Sequence, residues 1–362
     1  MGLEAHVVWE TDTAVVAAMG QRVLVTGGAG FIGSHFVRLL LQRQETRVVN
    51  LDALRYSGNP DNLRDVDSHP RYTFVHGDIC DADLVGRVVR EHRVDAIINF
   101  AAETHVDRSI VEPGGFVRTD VVGTAVLLEA ARAAGVKRFL QVSTDEVYGE
   151  VPSGRSSESD PLAPRSPYSA SKAAGDLLVL SYYTTYRMPV LITRGSNTFG
   201  PNQYPEKFIP LFVTNALEDQ PLPLYGDGLQ QRDWLYVQDH CEAVALVLEK
   251  GELGQVYNVG TSEERPNLEV AEAILGLLGK PQSLLRRVTD RPGHDRRYAL
   301  NCKKIAKLGW KPRVAFREAL KETVGWYRNN GSWWRKIKSG EFRSYYEKMY
   351  GARLREGQGG KA

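Results

Sequence analysis

Short apolar runs alternate with stretches of helical spacing along the first half of the chain. The run Arg22–Thr26 is followed by a helical pattern through Leu41. Arg47–Asp52, Tyr72–Val75 and Ala96–Phe100 are the next runs, with a helix from Asp81 to about Glu91 and a long one over Gly115–Ala134. The run from Phe139 then ends in Thr144-Asp145-Glu146, and a Ser/Pro-rich loop from Pro152 to Pro167 leads to a helix from Tyr168 to about Tyr186 and the run Pro189–Thr193. Strands that are apolar throughout and separated by helices predict an α/β fold with a doubly wound parallel sheet covered on both faces. Beyond residue 200 the pattern is irregular. The segments Asn197–Lys207, Pro221–Asp233, Thr261–Leu268 and Asp290–Tyr298 read as loops, and helices resume at about Asp239–Glu249, Leu268–Leu278 and Phe316–Asn329. The expected organisation is a leader (1–20), a sheet domain (21–200, with 233–260 returning to it), a smaller C-terminal α/β substrate domain (201–232 and 261–345) and a tail (346–362).

Composition adds exclusions more than assignments. The 362 residues are 42% hydrophobic and 25% charged, as in soluble globular proteins, and a net charge of +2 gives no argument for nucleic acid or an anionic membrane. No apolar run approaches the ~20 residues that span a bilayer. Cys80, Cys241 and Cys302 show neither metal-ligand spacing nor a disulfide framework, so no metal is expected and the cytoplasm is the expected location. The leader Met1–Ala18 carries Glu4, Glu10 and Asp12, is not a secretory signal, and is read as a dispensable extension or misassigned start before Met19.

The residues at the carboxyl ends of the strands suggest the chemistry. Gly27, Gly30 and Gly33 lie between the first strand and its helix, where backbone amides at a helix N-terminus bind pyrophosphate. About 20 residues on, Asp52 ends the second strand where a carboxylate holds an adenosine ribose and disfavours a 2′-phosphate; this points to NAD, with nearby Arg55 keeping NADP open. Asp145 and Glu146 would sit at the carboxyl end of a strand, where α/β sheets bind ligands, although acids there also start turns. Tyr168 and Lys172 are four apart and share a helical face, so the ammonium is expected to lower the phenol pKa and make it a usable base. Each motif has a structural explanation when taken singly. Their order along one chain favours a site.

The stretches Thr26–Gly33, Ala101–Ser109, Ser143–Gly149 and Tyr168–Lys172 resemble the dTDP-glucose 4,6-dehydratases, within the extended short-chain dehydrogenase/reductase superfamily. The resemblance runs from Arg22 to Asn330 and includes Pro205-Glu206-Lys207, Tyr225–Gly228, Arg232–Val237 and Asp290–Tyr298. It implies a Rossmann sheet, tightly bound NAD and no net redox. Tyr168, assisted by Lys172, would take the glucose 4-hydroxyl proton as hydride leaves C4. Glu146 would remove the C5 proton, Asp145 would protonate the departing 6-hydroxyl, and Thr144 would hydrogen-bond the 4-oxygen. Cofactor contacts would fall on Phe31, Ile32, Asp52, Asp78, Ile79, Ala101, Ala102, Thr119, Tyr168 and Lys172. Sugar-nucleotide contacts would fall on Thr104, Thr144, Asn197, Lys207, Phe208, Tyr225, Arg232, Asn267, Arg291 and His294. The family is typically homodimeric through the helices after Gly115 and from Tyr168. Thr198 stands where the family usually has a second asparagine, and Thr193–Gly195 and Asn202-Gln203 resemble the UDP-glucose 4,6-dehydratases, leaving dTDP-glucose and UDP-glucose both open as substrate.

Two further readings share the scaffold or the cofactor. A sugar-nucleotide 4-epimerase or a UDP-glucuronate decarboxylase would keep the Tyr/Lys pair, but neither has a use for Asp145 as an acid. An NAD-binding regulator without activity would have no need for the tyrosine, the lysine or the two acids.

Overall fold

The structure is a computed structural model that describes residues 21–43, 45–351 and 353–354. The leader, and the tail from 355 on, lie outside the described residues. Seven strands form one parallel sheet: β1 (Arg22–Thr26), β2 (Arg47–Asp52), β3 (Tyr72–His76), β4 (Ala96–Asn99), β5 (Arg138–Thr144), β6 (Val190–Gly195) and, much later in the chain, Val256–Val259. Their order is Val256–Val259, β6, β5, β4, β1, β2, β3, so the winding reverses between β1 and β4 and opens a crevice at their carboxyl ends. Burial on both faces explains the lack of polar alternation: β4 is buried throughout, as is β6. Helices cover both sides, among them α1 (Phe31–Gln42), α2 (Ala82–Glu91), α3 (Val106–Val111), α4 (Gly114–Val117), α5 (Thr124–Ala134), α6 (Pro167–Tyr186), α7 (Phe208–Leu217), α8 (Val237–Lys250) and α9 (Asn267–Leu278).

Of the expectations about local structure, one gains a detail and one needs correction. The long helix over Gly115–Ala134 is there, running unbroken from Gly114, but α4 and α5 are joined by a π-turn, Arg118–Gly123, whose wider coil buries Thr119 and Asp120 side by side. A regular helix would turn one of two consecutive residues outward more strongly. Three of the four segments read as loops also contain strands. Asn197–Phe199, Gln231–Tyr236 and Glu264–Pro266 make a small three-stranded sheet, and Leu222–Tyr225 pairs with Leu285–Val288. Their pairing is tertiary, and Pro223, Gly226 and Gly228 mask it in the sequence. Beyond the sheets, helices Phe316–Asn329 and Gly331–Lys338 return to pack Tyr327 and Trp334 into the core.

Candidate active site

One cleft runs along the carboxyl ends of β1, β2, β4, β5 and β6. Its floor is backbone. Gly27 has φ +69°, and a Cβ there would lie 2.6 Å from the Ala101 amide nitrogen, so only glycine lets β1 and β4 close up at the switch point. Gly30 donates to the Gly27 carbonyl at 3.1 Å, and a side chain on Gly33 would run into the same carbonyl. Helix α1 begins with no side-chain cap and no acid in its first turn, leaving amides and a positive dipole end for an anion. Asp52 accepts from the amides of Ala29 and Leu54, both at 2.8 Å, which fixes its carboxylate at the rim. Arg55, the reason to keep NADP open, is paired with Asp78 at 2.8 Å and Glu103 at 3.3 Å, so its charge is already matched. Thr119 Oγ1 and Asn197 Oδ1 on the cleft wall are buried with no hydrogen-bond partner. A glycine cradle, free helix amides, a ribose-seeking acid and orphaned polar atoms fit a dinucleotide. Phe31, Ile32, Ile79, Ala101 and Ala102 line the same cleft.

Strand β5 delivers the reactive groups. At its end the chain tightens into a 3₁₀ turn, Asp145–Tyr148, with Thr144 Oγ1 accepting from the Glu146 amide at 3.3 Å and donating to Asp145 Oδ1 at 3.2 Å. The two acids sit in opposite fields. Burial, then Glu146 and Asp233, hold Asp145 well above the usual carboxylate range, and its Oδ2 has no partner. Burial also raises Glu146, which stays above its ordinary value, but by less, because Arg291, Arg232 and Lys207 all oppose the rise. Neighbouring carboxyls are thus separated into one that keeps its proton and one that gives it up more readily.

Helix α6 starts on the Ser166–Ser169 capping box with Pro167 in its first turn, which sets Tyr168 in the first turn and Lys172 one turn later on the same face. Both line the cleft and both are buried. The expected lowering of the Tyr168 pKa is corrected: burial, Glu146 and Asp120 push it well up, against a hydrogen bond with Thr144. Lys172 donates from its ammonium to the Val142 carbonyl at 2.8 Å, and burial is the largest influence on the phenol, with Glu146 and Asp120 adding to it.

The expected sugar-nucleotide residues divide in two. Thr104, Thr144, Asn197 and Lys207 line the cleft, with Lys207 Nζ bonded to the Thr104 carbonyl. The others lie outside that lining. Arg291 pairs with buried Asp107 at 2.9 Å, and Tyr225 donates to the same carboxylate at 3.1 Å while its ring meets His294. Arg232 donates to the Asp295 carbonyl at 2.8 Å and lies over the Tyr298 ring. Asn267, with Oδ1 unpartnered, opens α9, and Phe208 packs against Phe212 and Trp234. Arg232 and Arg291 nevertheless reach Glu146 through space, which ties this group to the cleft.

Residues 24–323 match the family model described as GDP-mannose 4,6 dehydratase. A dTDP-glucose 4,6-dehydratase of Streptomyces niveus is 53% identical over 324 residues, covering 88% of this chain and 96% of its own. The chain belongs to the dTDP-glucose 4,6-dehydratase family. Among solved structures, a dTDP-glucose 4,6-dehydratase of Streptomyces venezuelae with NAD bound is 52% identical and superposes with a TM-score of 0.86, over 88% of this chain and all of that one. A UDP-glucose 4-epimerase of Thermus thermophilus with NAD is similar at 36% identity and a TM-score of 0.80, over 86% of this chain and all of that one.

Seen as a dehydratase site, the cleft also uses residues that no motif singles out. Asp107 lies within a stretch that carries the family resemblance but has no role assigned by it; its partner Arg291 is 184 positions away, so no local signal could pair them. Asp233, buried on the strand Gln231–Tyr236, adds to the field that raises Asp145. His240 shares a 2.7 Å hydrogen bond with Thr198, the residue in the place of the usual asparagine, and lines the cleft beside Gly195.

Proposed function

We propose that this protein dehydrates dTDP-glucose to dTDP-4-keto-6-deoxyglucose, using NAD within one closed cycle. The observation that carries the reading is the pair Asp145–Glu146 at the end of β5, adjacent in sequence and set in opposite fields. The cofactor would lie on the glycine floor with Asp52 at its ribose, and the hexose between Tyr168, Thr144 and the two acids. When bound, NAD supplies a hydride acceptor for C4, gives the hydride back at C6, and in its oxidised form brings a positive charge beside the phenol.

The protein's own residues move the protons. Tyr168, backed by Lys172, takes the proton from the 4-hydroxyl, and Thr144 steadies the 4-oxygen. A ketone at C4 acidifies the C5 hydrogen, which Glu146 removes. Asp145, still protonated, gives its proton to the 6-hydroxyl, and that oxygen leaves as water. Glu146 then returns a proton to C5 as C6 is reduced. Atoms and electrons balance: one water is lost, carbon C4 is oxidised while C6 is reduced, and the proton Tyr168 took from the 4-hydroxyl is released to solvent as Asp145 takes up one to replace that lost with the water. An epimerase would have no water to expel and no task for a proton-holding acid beside a carboxylate base.

The sugar nucleotide would be held between the sheet domain (21–200 with 233–260) and the C-terminal portion (201–232 and 261–345). Lys207, Arg232 and Arg291 would carry its negative charge. A homodimer through the helix after Gly115, π-turn included, and α6 is supported by exposed Val117, Val122 and Leu177 on these elements. The cytoplasm is the proposed location: the cysteines are unpaired and, among the described residues, no helix is long and apolar enough to cross a membrane. The test is incubation of the pure protein with dTDP-glucose and, side by side, UDP-glucose at equal concentration. A 4-keto-6-deoxy product, seen by its absorbance in alkali and faster from dTDP-glucose, is expected; an epimer or no turnover would overturn the reading.

A further inference from the structure

Most buried carboxyls around the cleft are matched by the structure or used by the proposed reaction. Asp176 is paired with Arg194 at 2.9 Å, Asp107 with Arg291, and Asp233 accepts from the amides of Thr261 and Ser262. Asp120 is held less fully. It is 1% exposed, yet its oxygens accept only from the Ser171 hydroxyl at 2.6 Å and the Glu103 amide at 3.2 Å, where Asp233 also takes the Thr261 hydroxyl. It stands in the π-turn Arg118–Gly123, a kind of distortion that concentrates at functional sites, and neighbouring Thr119 lines the cleft. Ser171 and Lys172 follow Tyr168 by three and four positions on α6, so the helix sets all three on the side facing the π-turn.

We propose that Asp120 is a positioning residue for the Tyr168–Lys172 pair: its carboxylate, fixed by Ser171 and the Glu103 amide, offsets the Lys172 ammonium and so sets how basic the Tyr168 phenolate is. The proposal rests on the dehydratase reading above. The groups facing Asp120 are Lys172 and Tyr168 from α6, and Glu103 from the loop after β4 with its partner Arg55. Asp145 and Glu146 act on the phenol from the other side. Burial, opposed by Lys172 and Ser171, pushes the Asp120 carboxyl up to about 6, so its charge changes within the working range of an enzyme. Ionised Asp120 holds the phenol pKa up; neutral Asp120 lets it fall. With the phenol already pushed well up, ionised Asp120 keeps it a strong base that is scarce as phenolate at the operating pH, and neutral Asp120 brings it closer to that pH, where a base works best.

The test compares the parent with Asp120→Asn, which keeps an acceptor for the Glu103 amide and a partner for Ser171 while deleting the charge. With dTDP-glucose, the acid limb of kcat/KM moves to lower pH by about one unit. Ser171→Ala, which removes a bond holding the Asp120 pKa down, moves it the same way by less. A second readout needs no substrate: phenolate absorbance is titrated in the NAD-loaded protein and in Asp120→Asn, each as the difference from the same protein carrying Tyr168→Phe. The Tyr168 step moves down by a similar amount in Asp120→Asn. Superimposable steps and limbs would overturn the proposal while leaving the dehydratase reading intact. Failure of the parent to act on either sugar nucleotide would overturn that reading, and the phenolate titration would still decide whether Asp120 sets the phenol.

Discussion

The wall of the cleft beside β1 and β2 is made of backbone, whereas the wall across from it is made of charge. On the first, Gly27, Gly30 and Gly33 leave no side chain, and the recognition elements are amides, a helix end and one fixed carboxylate. On the second, Glu146 is surrounded by Lys207, Arg232 and Arg291, while Asp145 sees mainly other acids. The first wall should fail through shape and tolerate changes of charge at a distance. The second should fail through charge and show it as a displaced pH profile.

The largest effect should come from the charged wall. Asp145→Asn and Glu146→Gln each remove one proton-transfer partner, and each should lower the rate of product formation by about 10²–10⁴-fold. Exchange of a C4 isotope with the cofactor should persist in both, checked by mass spectrometry of recovered substrate. Unchanged product from the double variant would show that the two acids only cap the turn.

Next comes the backbone wall. Gly33→Val puts a side chain against the Gly27 carbonyl, and NAD retained per chain should fall to about a tenth or less, measured after denaturing the purified protein. The conformation required at Gly27 makes Gly27→Ala a second way to break this wall.

A smaller effect sharpens the contrast. Arg291 opposes the rise of the Glu146 pKa, so Arg291→Gln should let it rise further and move the pH midpoint of C5-hydrogen exchange with solvent to higher pH by about one unit. The displacement is opposite in sign to that expected for Asp120→Asn. The same change leaves Asp107 buried without its partner. Burial raises the Asp107 pKa, but Arg291 and His105 outweigh it and the net shift is downward. Its contribution to stability is therefore present above the unfolded value of about 3.9 and lost as pH falls through the folded one. Urea unfolding should show the parent and Arg291→Gln far apart at pH 7 and converging below about pH 4.

The smallest effect concerns stability alone. Asp120 has a folded pKa raised to about 6 by burial, so its ionisation costs stability above that pH and costs nothing below the unfolded value. Asp120→Asn should gain about 1–3 kcal/mol at pH 8 and lose the gain towards pH 4, as expected where a functional site is held at some expense of stability.

The same division decides what is legible in the sequence. The backbone wall is encoded locally: a glycine turn follows an apolar strand, an acid ends the next, and Tyr168 and Lys172 lie one helical turn apart, so spacing alone locates them. The charged wall is assembled from afar. Nothing near Glu146 announces Arg291, and the short strands carrying Tyr225 and Arg232 read as loops because their partners are tertiary. The π-turn is invisible for a related reason: residues 115–134 have good helical spacing, and only packing against α6 shows that Thr119 and Asp120 both turn inward. Pairwise spacing misjudges the phenol because it supplies a lysine but shows neither the burial of the ring nor the carboxylates nearby.

The central claim is that hydride removed at C4 comes back at C6 while Glu146 and Asp145 expel water between the two transfers. It is tested most directly with dTDP-glucose carrying deuterium at C4, incubated with the NAD-loaded protein and followed by mass spectrometry and proton resonance. Deuterium at C6 of a 4-keto-6-deoxy sugar is the expected result. Deuterium retained at C4, or a product that still carries its 6-hydroxyl, would contradict the account.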